Sequence, residues 1–134
     1  MFHAWCSNLK KVLPTYAPIV LRLGLAFVFV WFGTSQATHT SMWISLVPEW
    51  AVSLSGLSAE TIVKMNGVME IIAGTLLALG VYVRYVAFIL AVHLFVISSH
   101  LGLNATGVRD AGLSLATLAL ALFGDDEGCI VRES

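Results

Sequence analysis

The chain has 134 residues, of which 58% are hydrophobic and only 11% are charged, with a formal net charge of −1 and a mean hydropathy of +0.89. A soluble domain normally carries about 25% charged residues, so this composition excludes an ordinary water-soluble protein. The near-neutral charge provides no basic field that would attract nucleic acid. We therefore expect one integral membrane domain whose main surroundings are the lipid bilayer.

The sequence predicts four membrane-spanning helices, each close to the about 20 residues that a helix needs to cross a bilayer. In chain order they cover residues 18–36, 61–79, 84–101 and 108–123. The segment 37–60 is too polar to span, and its tryptophans favour a loop at the membrane interface. Because the other connections are short, sequential helices should pack antiparallel. The predicted fold is an all-α, four-helix up-down bundle with an interfacial loop between the first two helices.

Basic residues near the helix ends predict the orientation of this bundle. Most of them lie on one side of the predicted membrane: Lys10, Lys11, Arg84 and Arg132. Cytoplasmic segments carry an excess of Lys and Arg, so both termini should be cytoplasmic. Arg109 falls on the opposite side, but its neighbour Asp110 indicates an internal charge instead of a topological signal.

Glu70 is the most informative residue, because it lies near the middle of a run that is otherwise apolar enough to cross a bilayer. An ionised carboxylate at that depth costs about 2.5 to 3.5 kcal/mol, so it needs a partner or a proton. A candidate intramembrane polar site is formed by the polar residues in or at the ends of the helices: Arg22, Asn66, Glu70, His93, Arg109 and Asp110. None of them can be assigned a catalytic role from the sequence.

Charge sign and depth predict how these residues pair. Arg22 and Glu70 are opposite in sign and lie on sequential antiparallel helices, about 8 Å apart along the membrane normal, so we expect an ion pair. Arg109 should pair with Asp110 or Asn66. His93 is expected to bond to a backbone or hydroxyl oxygen, as a lone histidine in a membrane helix usually does. No cluster has the spacing of a metal site.

Small residues share faces of the second and fourth predicted helices. Gly67 and Gly74 lie on the side that carries Glu70, and Gly112 and Ala116 lie on the side that carries Arg109. Small residues allow two membrane helices to approach closely. We therefore interpret these four positions as packing contacts and not as ligand contacts.

Several motifs of the chain resemble the DoxX family of small prokaryotic four-helix membrane proteins. They are Leu21-Arg22-Leu23-Gly24 in the first helix, Asn66-Gly67-x-x-Glu70 in the second, Leu79-Gly80 and Arg84 around the next turn, and Arg109-Asp110-x-Gly112-Leu113 in the fourth. The resemblance implies a multi-pass protein of the prokaryotic plasma membrane. It also implies kinship with the DoxD subunit of a thiosulfate:quinone oxidoreductase, and so a link to quinone-coupled redox chemistry.

Three functions remain open. In the first, the chain is the membrane subunit of a quinone-linked oxidoreductase, with quinone as cofactor and Glu70 or His93 relaying protons. In the second, the buried charges are structural, and the chain is a non-catalytic anchor, scaffold or assembly factor that holds partner subunits or a second copy of itself. The third is a small solute or proton carrier, which has less support because no broken helix or inverted repeat is visible.

The orientation predicts which single cysteines are accessible from outside. After Cys6 and Cys129 are replaced by serine, an impermeant maleimide should label Ser53→Cys on intact cells. Ser134→Cys should react only after the membrane is permeabilised. Labelling of Ser134→Cys but not of Ser53→Cys on intact cells would show that the bundle has the opposite orientation.

Overall fold

A computed structural model describes residues 1–123, and those residues are almost entirely helical. In chain order the elements are α1 (Phe2–Thr38), two 3-10 turns (Thr40–Met42 and Ile44–Leu46), α2 (Glu49–Ser55), α3 (Ala59–Leu79), α4 (Val83–Leu101) and α5 (Ala105–Phe123). Four of these helices, α1, α3, α4 and α5, are long and apolar enough to cross a membrane. The all-α, four-helix membrane fold predicted from the sequence is confirmed. Arg132 and Ser134, used for the orientation, lie outside the described residues.

Large apolar side chains cover the outer surface of the bundle. One exposed example on each long helix is Phe27, Ile72, Phe95 and Leu115. Contiguous apolar surface of this extent is rare on soluble proteins, and on a helical bundle it fits contact with lipid. The fold is therefore that of a multi-pass membrane protein in contact with the bilayer.

α1 is much longer than predicted. The hydropathy pattern gave a start at residue 18, whereas the helix begins at Phe2 and continues through Pro14 and Pro18. A proline inside a helix removes its own N–H bond and crowds the carbonyl four residues earlier, which can bend a helix without ending it. The more polar residues that precede the apolar run, including Lys10 and Lys11, are compatible with a helix. At 1.5 Å per residue α1 is about 55 Å long, so it extends well beyond a hydrocarbon core of about 30 Å.

Both ends of α3 carry local signals that fix its length. At the start, the Ser58 hydroxyl accepts a hydrogen bond from the backbone N–H of Thr61 at 3.2 Å, as an N-cap does. At the end, Gly80 has φ +76°, which is a left-handed conformation that glycine adopts without strain. The N–H groups of Gly80 and Val81 donate to the carbonyls of Leu77 and Leu76. The chain reverses within this turn, and α4 therefore runs antiparallel to α3.

The bundle consists of two tightly packed helix pairs. α1 packs extensively against α3, and α4 against α5, whereas the pairs meet each other through fewer contacts. Between α1 and α3 the backbones touch at Gly33 and Gly67, because a Cβ built on Gly33 would lie 2.5 Å from the Gly67 carbonyl oxygen. Between α4 and α5 the Ser114 hydroxyl donates to the Ala91 carbonyl at 2.8 Å.

The apolar core fills the half of the bundle that is nearer to the α3–α4 turn. Its members come from all four long helices and include Phe29, Leu77, Leu90 and Leu120. The other half lies towards the 3-10 turns and α2. Because the core occupies one half and the helix pairs contact each other sparsely, space remains between the pairs in the second half.

The small residues on α3 act as predicted, but Gly112 on α5 does not. A Cβ on Gly74 would lie 2.9 Å from Val30 Cγ2, and one on Gly67 would lie 2.7 Å from the Gly33 carbonyl oxygen. A Cβ on Gly112 would meet no described atom within 4 Å, so its interpretation as a packing contact was wrong. The side of α5 that is buried carries Ser114 and Thr117 instead. Two small residues one turn apart do not fix how a helix is rotated about its own axis. α5 is rotated so that Ser114 and Thr117 face the bundle and Gly112 does not.

The segment between α1 and α3 folds back over the end of the bundle. Trp43 packs edge-on against Phe32 of α1, with ring centroids 5.6 Å apart, and its indole N–H donates to the Ser35 hydroxyl at 3.2 Å. The segment does not span the membrane, as expected. It forms a folded cover with short helical turns where a plain loop was predicted.

The contact between Gly33 and Gly67 predicts a selective effect of added methyl groups. Gly67→Ala should destabilise the bundle by about 1 to 3 kcal/mol, because the new Cβ overpacks the α1–α3 contact. The matched control Gly112→Ala should be neutral or up to about 1 kcal/mol more stable, since alanine is the better helix former. Thermal unfolding of both variants in detergent measures the difference. Equal unfolding temperatures would contradict the close contact.

Candidate functional site

A cavity of about 280 Å³ lies between the two helix pairs, beneath the cover formed by the 3-10 turns and α2. Most of its wall is apolar, and the cover contributes Trp43, Pro48 and Trp50. Polar side chains from all four long helices also reach it: Gln36, Asn66, Glu70, His93, His100, Arg109 and Asp110. Mostly apolar walls with a few convergent polar groups are typical of a small-molecule site.

Glu70 lies at the centre of a buried hydrogen-bond cluster between α1 and α3. Gln36 Nε2 donates to Glu70 Oε2 at 2.9 Å, and Asn66 Nδ2 donates to Glu70 Oε1 at 3.2 Å. Asn66 Nδ2 also donates to Gln36 Oε1 at 2.7 Å, which closes a three-residue ring of bonds. The carboxyl group of Glu70 is thus satisfied by neutral amide donors. We call Gln36, Asn66 and Glu70 the amide–carboxyl cluster.

The local sequence of α1 and α3 explains why these three side chains meet. Asn66 and Glu70 are four residues apart on α3, so they lie on one face of the helix, one turn from each other. Gln36 is one turn beyond the Gly33–Gly67 contact on α1, where the two backbones are closest. This close approach lets short amide side chains bridge the helices.

His93 of α4 faces the cluster from the second helix pair. Its Nε2 lies 3.8 Å from Glu70 Oε1, which is too long for a hydrogen bond. This nitrogen is buried and has no hydrogen-bond partner among the described residues. The expected bond to a backbone or hydroxyl oxygen is therefore not found at Nε2. A buried ring nitrogen without a partner is costly, and it marks a point where a ligand atom could bind.

Arg109 and Asp110 of α5 form the opposite part of the wall. Arg109 Nε and Nη2 each lie 2.8 Å from Asp110 Oδ1, and the guanidinium carbon lies 4.7 Å from the centre of the Phe32 ring. Of the two predicted partners, Asp110 is therefore the correct one. Asp110 is buried whereas the Arg109 side chain is 44% exposed, so the pair neutralises the carboxylate and leaves some guanidinium donors accessible.

The predicted ion pair between Arg22 and Glu70 was wrong. Both Glu70 oxygens are bonded within the amide–carboxyl cluster, and Arg22 lies beside the turn that follows α3, where a Cβ on Gly80 would be 2.7 Å from Arg22 Nη1. Charge sign and depth alone predicted the pair. Long basic side chains near the end of a membrane helix extend towards the interface, and this route lowers the cost of burying their charge.

His100 and Gln36 both line the cavity and are absent from the predicted set, and Gln36 is the one that belongs to the amide–carboxyl cluster. It is buried and bonds to both other members of the cluster. The available signal was an amide side chain in an apolar run at the same membrane depth as Asn66. Of the six predicted residues, the structure brings Asn66, Glu70, His93, Arg109 and Asp110 to the cavity wall and leaves Arg22 outside it.

The cluster predicts which pair of residues is energetically coupled. Gln36→Leu and Glu70→Gln should each destabilise the protein by about 1 to 3 kcal/mol, because each disturbs a buried ring of bonds. The double variant should lose clearly less than the sum. Arg22→Gln and Glu70→Gln should instead add within about 0.5 kcal/mol, since the residues share no contact. Two thermal double-mutant cycles measure both couplings, and strong coupling of Arg22 to Glu70 would contradict the described geometry.

Comparison with known proteins gives one clear match. The family model described as DoxX matches residues 17–100, well over half of the chain, from the membrane-spanning part of α1 to near the end of α4. No curated protein and no solved structure matches the chain. The matched part contains the amide–carboxyl cluster and His93, whereas the Arg109-Asp110 motif of α5 lies beyond it. The chain belongs to the DoxX family of membrane proteins.

Proposed function

We propose that the chain is the membrane subunit of a quinone-linked oxidoreductase and that its cavity binds the ring of a quinone. One observation carries this proposal. At the wall of an apolar cavity, a buried carboxyl group held by two amides faces a buried histidine nitrogen that has no hydrogen-bond partner among residues 1–123. A ring carbonyl can accept a hydrogen bond from a protonated His93 Nε2. No described side chain serves this nitrogen, so a ligand would satisfy it.

The size of the cavity suits the ring alone. At about 280 Å³ it is near the lower end of the roughly 300 to 1,000 Å³ found for small-molecule sites. A long apolar tail would therefore leave the cavity. The sparse contact between the two helix pairs provides a direction for it, towards lipid. Aromatic residues of the cover, Trp43 and Trp50, and Phe32 on α1 offer flat surfaces next to the ring.

Reduction of a quinone to the quinol takes two electrons and two protons, and the reverse reaction releases them. In this proposal a partner subunit exchanges the electrons, and His93 and Glu70 transfer protons. His93 Nε2 can deliver a proton to a ring oxygen and recover one from Glu70, 3.8 Å away. Gln36 and Asn66 hold the carboxyl group in place during the exchange. The resemblance to the DoxD subunit supports this role and implies a plasma membrane location. The bias of Lys and Arg along the sequence favours both termini in the cytoplasm.

A second candidate function is a non-catalytic scaffold or assembly factor. The Arg109–Asp110 pair favours it, because its 2.8 Å contacts neutralise a buried carboxylate within the chain. Buried pairs of this kind can specify the packing of helices without any chemistry. In that case the amide–carboxyl cluster would fix the register of α1 and α3, and the cavity would hold lipid.

Ligand-induced stabilisation divides the two candidates. A short-chain quinone should raise the unfolding temperature of the purified protein, since a ligand at a hundredfold excess over its Kd stabilises by about 2.7 kcal/mol. His93→Phe removes the proposed donor and should shift the concentration that gives half the effect upwards by about tenfold or more. Glu70→Gln keeps the size of the side chain, replaces one accepting oxygen by an NH2 group that cannot release a proton, and should lose proton-coupled exchange with a quinol.

The control variant is Lys64→Gln, which breaks an exposed salt bridge with Glu60 on the outer face of α3 and leaves the cavity intact. It should respond to quinone as the wild type does. Absence of any response of the wild type, in detergent and in nanodiscs alike, would rule out the quinone site and favour the scaffold.

A further inference from the structure

Arg22 lies at the end of the bundle that is opposite the cavity, and it bonds to no residue of the described part of the chain. Its Nε is buried without a hydrogen bond, and the side chain forms no salt bridge with the described residues. A guanidinium has five N–H donors and stays charged at any physiological pH. Glu70 and Asp110 are satisfied within the described residues, so a cation that bonds to none of them points to an acceptor that these residues do not supply.

The turn after α3 is shaped to hold this guanidinium. Gly80 has no side chain, and a Cβ at that position would lie 2.7 Å from Arg22 Nη1 and 3.3 Å from its Cζ. A larger residue would therefore displace the guanidinium, and glycine lets it lie against the turn. The C-terminal end of α3 carries a partial negative charge that attracts the cation, but it supplies no hydrogen bond to it. The turn thus positions Arg22 and leaves its donors available.

The depth of the turn identifies the level of the membrane at which the acceptor would lie. α3 has 21 residues and is about 31 Å long, so it just crosses a hydrocarbon core of about 30 Å. Gly80 follows its last residue and lies where lipid headgroups begin. Arg22, in contact with Gly80, therefore presents its donors at the level of the lipid phosphates, whichever way the bundle is oriented.

We propose that Arg22 and the Gly80 turn form a binding site for the phosphate group of a membrane phospholipid. Guanidinium groups bind phosphate oxygens through paired, charge-assisted hydrogen bonds, which the planar fork of arginine matches and a lysine does not. Lys10 and Lys11, on the extension of α1 beyond this end of the bundle, add positive charge that favours an anionic headgroup. The site is independent of any ligand in the cavity.

Short-chain lipids test the proposal on the detergent-solubilised full chain. Dioctanoyl phosphatidylglycerol should raise the unfolding temperature of the wild type in a saturable way, and dioctanoyl phosphatidylcholine, whose headgroup carries no net charge, should do so more weakly. Arg22→Gln should weaken the response to phosphatidylglycerol about tenfold or more. Arg22→Lys should be intermediate, because it keeps the charge and loses the fork.

The control is Lys64→Gln, which removes one positive charge from an exposed position near the opposite end of α3 and should respond to phosphatidylglycerol as the wild type does. Unchanged affinity of Arg22→Gln for phosphatidylglycerol would overturn the site. An equal response of the wild type to inorganic phosphate would overturn the assignment to a lipid. If Arg22→Gln does not fold, Arg22→Lys decides alone, and an affinity equal to that of the wild type refutes the proposal.

Discussion

The rest of the structure depends on the burial of the Glu70 carboxyl group inside an apolar bundle. A charge at that depth has no water to solvate it, and a proton or a set of hydrogen bonds must compensate. The chain supplies two amides from neighbouring helices, at 2.9 and 3.2 Å. This solution needs the backbones of α1 and α3 to be close, which explains the contact of Gly33 with Gly67 one turn away.

Close pairing of α1 with α3 and of α4 with α5 also explains the cavity. Each pair satisfies its polar groups largely within itself: Gln36 with Glu70 in the first, and Ser114 with the Ala91 carbonyl in the second. Fewer polar groups then remain to bond from one pair to the other, and the pairs contact each other less. Large apolar side chains close the gap near the α3–α4 turn, and the cover over the other end encloses the remaining space.

Charged side chains at the two ends of the bundle differ in whether the chain itself supplies their partners. At the cavity end, carboxyl groups are bonded to residues of the chain itself, by amides at Glu70 and by Arg109 at Asp110. At the opposite end, Arg22 is held against a turn but bonded to nothing in the described part of the chain. Internal pairs fix helix packing, whereas a held but unpartnered cation is suited to a ligand. The cavity and the Arg22 site are therefore tested with different ligands.

The sequence by itself determined the fold class, the number of spans and the residues that are costly to bury. Hydropathy is sufficient for these because a bilayer accepts only long apolar segments whose backbone is internally bonded. The sequence also indicated one polar region inside the bundle. Five of its predicted members line one cavity: Asn66, Glu70, His93, Arg109 and Asp110. The DoxX motifs gave the family, which the match over residues 17–100 confirms.

Only the tertiary structure decided which polar groups meet. Helical periodicity places a residue on a face, but it does not fix the rotation of one helix against another. For that reason Gly112 faces outward, Arg22 and Glu70 do not pair, and Gln36 belongs to the site. The start of α1 was also beyond hydropathy, because a helix can continue into water where its apolar run ends. The rotations follow from the close contact of small residues and from hydrogen bonds that form only once the helices are assembled.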